Sequence, residues 1–260
     1  LNRELGPRTL GDIISETFNL YGKGLWTFVA IVIIPEVILF VLSAIIFIPL
    51  IFVSGIDDGI VTSPFSFDWE YELGVGLGLV IFLGLLLFVI SLIVNALMQG
   101  ALIHAVSEQT VRQTSNFGQS YGVAWRRIGN LIGAYLLVGI AVCLMAITII
   151  GIPFAIYFGV RWCFVLQAVL IEGNGITESL SRSSNLVEAN WWRVFGIMLV
   201  VGLIVMAISF AVSFIPVIGS IIGAVVATPI MAAAQTLLYY DLRHRKGGYT
   251  VETLATELGV

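Results

Sequence analysis

The chain has 260 residues, 59% of them hydrophobic and only 11% charged, with a mean hydropathy of +1.04, against about 25% charged in soluble domains. That composition excludes a water-solvated globule, and the length accommodates several apolar spans of about 20 residues but no added soluble catalytic domain. A formal charge of -4 excludes a basic nucleic-acid footprint, and the two cysteines, Cys143 and Cys163, lie in apolar stretches that suggest neither a disulfide framework nor a thiolate metal site.

The polar start, through Asn2, Arg3, Glu4 and Arg8, lacks the early apolar core of a secretory signal, so the first apolar run is expected to remain as a membrane span. Over residues 9–21 a helical stripe of Leu10, Ile13, Ile14, Thr17, Phe18 and Tyr21 opposes Asp12, Ser15, Glu16 and Asn19. This predicts an amphipathic helix in the membrane plane, capped by Thr9 with Asp12. It reads as a surface connector or, more sharply, as a partner-docking or lipid-sensing helix. Span one follows at about Leu25 to Val53, then an acidic segment, 54–72, with Asp57, Asp58, Asp68, Glu70 and Glu72 and no Lys or Arg. Span two runs from about Leu73 to Leu97.

A second surface helix is expected from Phe117, Tyr121, Ala124, Trp125 and Ile128, before spans three (Ile128 to Ile150) and four (Ile152 to Ile171). A third is expected from Ile176, Leu180, Val187 and Trp191, before spans five (Val194 to Ile215) and six (Val217 to Tyr240). Proline punctuation divides three from four and five from six, with a pair of long kinked helices as the alternative.

Positive charge near spans stays on the cytoplasmic side. Eleven of the twelve cations fall before span one, between two and three, between four and five, or after six. Both termini are therefore expected in the cytoplasm and the acidic segment 54–72 outside. Trp26, Trp125, Trp191 and Trp192, at the starts of spans, are expected as interfacial anchors.

The segments align as an internal repeat. From Ser15, Ser120 and Ser181 the turn prolines Pro49, Pro153 and Pro216 lie 34, 33 and 35 residues further on, and Gln99, Gln167 and Gln235 recur 68 residues apart, each three residues before Leu102, Leu170 or Leu238. The expected fold is all-α integral membrane, one membrane domain over 1–260. It comprises about six transmembrane helices in three parallel hairpin repeats at 9–108, 116–173 and 176–242, with a cytoplasmic tail at 243–260. Each repeat opens with an in-plane helix. Glycine pairs, Gly74 with Gly78, Gly129 with Gly133 and Gly219 with Gly223, permit close helix approach.

Two charges fall deep inside spans, Glu36 and Arg161, both about 15 Å from the cytoplasmic edge at 1.5 Å per residue. They form either a buried ion pair that sets helix register or an anion or headgroup site in which Arg161 binds and Glu36 is the counter-ion. Asn95 joins this candidate ligand set or, like the glutamines, serves as an interhelical hydrogen-bonding group. No catalytic, metal or cofactor site is expected: His104 and Glu108 are one turn apart without an evident third ligand, Gly74, Gly76 and Gly78 miss the dinucleotide fingerprint, and no nucleophile has a base at recognisable spacing.

Three stretches, residues 9–21 (TLGDIISETFNLY), 191–197 (WWRVFGI) and 237–243 (LLYYDLR), resemble the prokaryotic membrane family named after the glycerophosphoryl diester phosphodiesterase membrane domain. The resemblance implies a multi-pass protein of the prokaryotic plasma membrane. In fused members the membrane part precedes a soluble phosphodiesterase barrel, whose metal-binding constellation has no counterpart here, so the enzymatic name does not transfer. The expected function is a non-enzymatic accessory, scaffolding or assembly component; the alternative is a carrier or binder of a lipid or small amphiphile. Expected partners are membrane lipids and other membrane-protein subunits, with no nucleic acid and no cofactor.

Overall fold

A computed structural model describes residues 8–55, 69–215, 218–247 and 250–258. The acidic segment falls outside the described residues over 56–68, as do residues 1–7 and the Pro216 turn. The described residues are helical throughout, without strands. In order they form α1 (Leu10–Lys23), α2 (Leu25–Gly55), α3 (Trp69–Arg112), α4 (Phe117–Arg126), α5 (Ile128–Ala146), α6 (Ile152–Arg161), α7 (Val165–Gln167) running into a π-helical turn (Ala168–Glu172), α8 (Ile176–Glu188), α9 (Trp191–Ser213), α10 (Ile218–Gly247) and α11 (Val251–Leu258). Six stretches are long and apolar enough to cross a membrane: Leu25–Ile48, Gly78–Arg112, Ile128–Ala146, Ile152–Glu172, Trp191–Ser213 and Ile221–Gly247. This is a membrane protein.

The chain divides into two compact units. One holds Ile34–Val94, the distal half of α2 and the proximal part of α3. Its large apolar side chains, among them Ile38, Ile45, Ile81, Phe82 and Leu85, are exposed, the expected dress of helices solvated by hydrocarbon. Two of its hydroxyls bond to backbone of their own helices: Ser43 donates to the Phe40 carbonyl and Ser91 to that of Phe88, both at 2.8 Å.

The other unit holds everything else and has a close-packed core in which Ile13, Phe28, Ile31, Leu102, Val106, Leu131, Phe164, Val169 and Tyr239 are fully or almost fully buried. α9 packs extensively along α10, and α1 is laid along α10 as well. Close approach is sequence-encoded: a Cβ at Gly219 would strike the Val212 carbonyl, and one at Gly133 would strike Ile176 at the start of α8.

Three short helices do precede the spans, and each begins with a cap. Thr9 and Asp12 form a reciprocal capping box on α1, Asn116 accepts from the N–H groups of Gly118 and Gln119, and Glu178 reaches back to the Gly175 N–H. Their buried faces follow the expected apolar stripes only in part. On α1, Ile13, Thr17 and Leu20 are buried while Leu10 and Phe18 are exposed; on α4 the buried pair is Ser120 and Ala124; on α8 it is Ser179 and Ser183 with Leu186 and Val187. Small residues let α4 and α8 press against the spans, which bulky stripe residues would hold off. The aligned serines do not share an environment either: Ser120 is buried, Ser15 and Ser181 exposed.

Two expected boundaries shift. The fourth span is discontinuous, with α6 ending at Arg161 and helix resuming at Val165. The tail at 243–260 is largely helical: α10 continues to Gly247, and α11 docks by its buried Leu254 and by a two-pronged ion pair from Arg243 to Glu257, 2.8 Å for each prong.

Candidate functional site: a broken span beside a cavity

The break in the fourth span frees backbone groups that hydrocarbon cannot satisfy. The turn bonds itself in part, Trp162 N–H to the Phe158 carbonyl at 2.8 Å and Val165 N–H to that of Trp162 at 3.2 Å. Ser183 on α8 completes it: its hydroxyl donates to the Arg161 carbonyl at 2.8 Å and accepts from the Phe164 N–H at 3.2 Å. One buried hydroxyl therefore occupies both edges of the gap. Below it the π turn ends at Gly173, whose φ of 75° suits glycine. Arg127 donates to the Val169 carbonyl at 2.8 Å and lies where a Cβ at Gly173 would come within 2.9 Å of its guanidinium.

Beside the break lies a cavity of about 510 Å³. Its walls come from α3 (Gln99), α5 (Ala134, Tyr135, Val138, Gly139), α6 (Gly159), the break (Trp162, Cys163), α7 (Val165, Leu166), α9 (Val205) and α10 (Ala227, Thr228, Met231, Gln235). Gln99 and Gln235, two of the three recurring glutamines, share it. The third, Gln167, is buried, and its Oε1 has no partner among the described residues. Arg161 is not part of the lining. It donates to the Tyr157 hydroxyl at 3.1 Å and lies 4.0 Å from a Glu188 carboxylate oxygen.

Glu36 belongs to the other unit and is half-buried on α2; Asn95 is half-buried on α3, where the core unit takes over that helix. Trp26, Trp125 and Trp192 are 82%, 64% and 78% exposed. Trp191 is instead stacked between Tyr157 and Phe195, ring centroids 5.8 and 5.2 Å away, and its Nε1 donates to the Tyr157 carbonyl at 3.2 Å. His104 and Glu108 serve α4 separately. His104 Nδ1 lies 3.3 Å from Ser120 Oγ, while Glu108 accepts from the Asn116 N–H at 3.2 Å.

Two acidic hubs, one buried and one partly buried, lie at the polar ends of the spans, and sequence reasoning did not single them out. The wholly buried Asp241 carboxylate accepts from the Arg8 N–H (2.8 Å), Arg193 (3.0 Å) and Arg245 (2.9 Å), and the Arg8 carbonyl accepts from both those guanidiniums. Glu172 accepts from Arg182 (2.9 Å), Asn174 (3.1 Å) and the Tyr239 hydroxyl, and pairs with Arg243 at 3.3 Å. Arg243 also sits over the Tyr239 ring, 5.7 Å from its centroid. The signal was present in Tyr239-Tyr240-Asp241-Leu242-Arg243, where charged and phenolic groups interrupt an apolar helix, and in Glu172 at the end of the fourth span. Both carboxylates are engaged by internal partners and tie helix ends together; in the first hub Arg193 Nε is buried without a hydrogen-bond partner among the described residues.

A family model described as a domain of unknown function (DUF7847) matches residues 120–240, a little under half of the chain and all of the cavity lining except Gln99. No curated protein and no solved structure matches the chain.

Proposed function

We propose that this chain is a non-enzymatic membrane protein that holds the body of an amphiphile in the cavity beside its broken fourth span. The observation that carries this reading is the cavity itself: about 510 Å³, walled mainly by apolar side chains and bearing a few separated polar groups. That size and chemistry are typical of small-molecule sites between the helices of a bundle. A discontinuous helix at membrane depth, its freed backbone held by a side chain from elsewhere, is a recurrent device at substrate sites in membrane proteins.

A chain of three parallel hairpin repeats goes with this reading and is supported by matching burial along the chain. Counted from the span starts at Leu25, Ile128 and Trp191, the positions three and six residues on are buried in all three: Phe28, Leu131 and Val194, then Ile31, Ala134 and Ile197. Leu102, Leu170 and Leu238 are buried as well. The short capped helices mark the cytoplasmic side, where the cations gather, and the host membrane is the prokaryotic plasma membrane.

The test fills the cavity. Gly139 and Gly159 both line it, and a Cβ at either meets nothing within 4 Å, so Gly139→Phe and Gly159→Leu occupy it at little cost to the fold. The full chain, extracted in native membrane discs, is expected to carry a defined amphiphile by mass spectrometry, and both variants to lose it while unfolding at the wild-type temperature. Identical lipid profiles for the wild type and both variants would sink the reading. A second reading, an accessory or assembly component, draws on the apolar stripe of α9, in which Leu199, Leu203, Met206, Phe210 and Phe214 are exposed. Stoichiometric co-purification of another membrane protein, lost on charging that stripe, distinguishes it.

A further inference from the structure

The polar groups on the lining residues are the two carboxamides of Gln99 and Gln235, the Thr228 hydroxyl, the Tyr135 phenol, the Trp162 indole N–H and the Cys163 thiol, and no carboxylate, guanidinium or ammonium group is among them. Among the described residues, no protein group hydrogen-bonds to either glutamine side chain. A carboxamide offers two donors and an acceptor with two lone pairs, and leaving these unmet away from water is costly. Something that enters the cavity is expected to meet them. The nearby cations are already engaged, Arg161 with Tyr157 and Glu188, Arg127 with the Val169 carbonyl. A phosphate or ammonium headgroup would shed its water here without a counter-charge to replace it.

We infer that the cavity selects an uncharged amphiphile: an apolar body ending in a hydroxyl or carbonyl group, with that end group received by Gln99 and Gln235. This ligand class presupposes the amphiphile-binding reading above. The glutamines can donate to a carbonyl and can both donate to and accept from a hydroxyl, so both end groups satisfy them. Trp162 and Tyr135 line the cavity beside its apolar residues and add aromatic surface for the body of the ligand. The selectivity is electrostatic: a neutral polar pair rewards a neutral polar end and offers nothing that compensates a full charge.

The test uses four photoreactive probes with the same diazirine-bearing hexadecyl chain: the alcohol, its phosphate monoester, its trimethylammonium analogue and the plain hydrocarbon. Each is presented to the full chain in phosphatidylcholine nanodiscs, and crosslinked peptides are mapped by mass spectrometry. The alcohol is expected to label the α5 and α10 walls at least tenfold more than either charged probe, with competition by unlabelled hexadecanol. In Gln99→Leu combined with Gln235→Leu, alcohol labelling is expected to fall to the hydrocarbon level while hydrocarbon labelling persists, which also reports that the variant is folded. Should the double variant fail to fold, the ranking of probes on the wild-type chain decides alone. Labelling by the phosphate or ammonium probe equal to or above that of the alcohol overturns the uncharged class while the amphiphile reading stands. Failure of all four probes to label the cavity walls, or labelling unaffected by Gly139→Phe, overturns both.

Discussion

Single side chains in this protein repair backbone that the helices cannot satisfy for themselves. Pro35 has no N–H, so the Ile31 carbonyl one turn earlier lacks its helical donor; the Tyr121 hydroxyl supplies one at 2.8 Å. Tyr121→Phe is expected to cost about 1 kcal/mol, and less in a Pro35→Ala background, where the restored amide takes the carbonyl. Equal costs in both backgrounds, measured by denaturant unfolding in detergent, would refute the repair. Burial raises the Tyr121 pKa from 10.0 to about 12. Its folded pKa exceeds the unfolded one, so the stabilisation is complete below about pH 10 and is lost as pH rises through 12; Tyr121→Phe should flatten that alkaline limb. Ser183 does the corresponding work at the break in the fourth span. Ser183→Ala leaves a buried carbonyl and a buried N–H without a partner, and is expected to cost about 1–3 kcal/mol, read as a lower midpoint with unchanged slope.

At the scale of elements, helix ends are tied by charge and helix faces by small residues. Asp241 joins the segment entering α1 to the start of α9 and the end of α10 through Arg8, Arg193 and Arg245. Asp241→Asn strands two guanidiniums around a neutral amide, and removing one partner of a buried pair typically costs about 3–5 kcal/mol. Hydrogen exchange should then rise first at the amides of α1, and exchange that rises equally everywhere would argue against a latch. Asp12 acts more locally. Its hydrogen bonds with Thr9, side chain first and then backbone, hold its pKa below the ordinary carboxylate value. The depressed folded pKa means that the cap is fully formed above the unfolded value of 3.8 and is lost as pH falls through the lower one. Amides in the first turn of α1 should stay protected through the usual carboxylate range, and Asp12→Asn should abolish the acid transition.

For the molecule as a whole, the proposed orientation can be checked directly. A cysteine at Asp58 should react with an impermeant maleimide in intact cells, and one at Thr253 only after permeabilisation, in a chain whose native cysteines are serine; the reverse pattern would invert the topology. The six spans were legible in the sequence because solvation by hydrocarbon acts on composition: a run of about 20 apolar residues is a span whatever its neighbours. The cap ahead of the first span was legible for a similar reason, since Thr9 and Asp12 act within one turn; the caps supplied by Asn116 and Glu178 were not singled out. Which faces the short helices bury was legible only in part: Ile13, Thr17, Ala124 and Val187 of the expected stripes are buried, but close packing also uses Ser120, Ser179 and Ser183, which stripes of apolar residues do not include. The deep charge of Arg161 was visible, but its partners Tyr157 and Glu188 depend on where the chain turns. The break at Arg161 to Phe164 is the clearest case: no proline lies between Phe154 and Glu172, and the gap is held by a hydroxyl from a different helix. Composition alone therefore determined that this chain lies in a membrane and where it crosses. Only the tertiary structure decided that the fourth crossing is interrupted and that two glutamines 136 residues apart share a cavity, because a backbone group freed in one helix can be satisfied only by a side chain that folding brings from another.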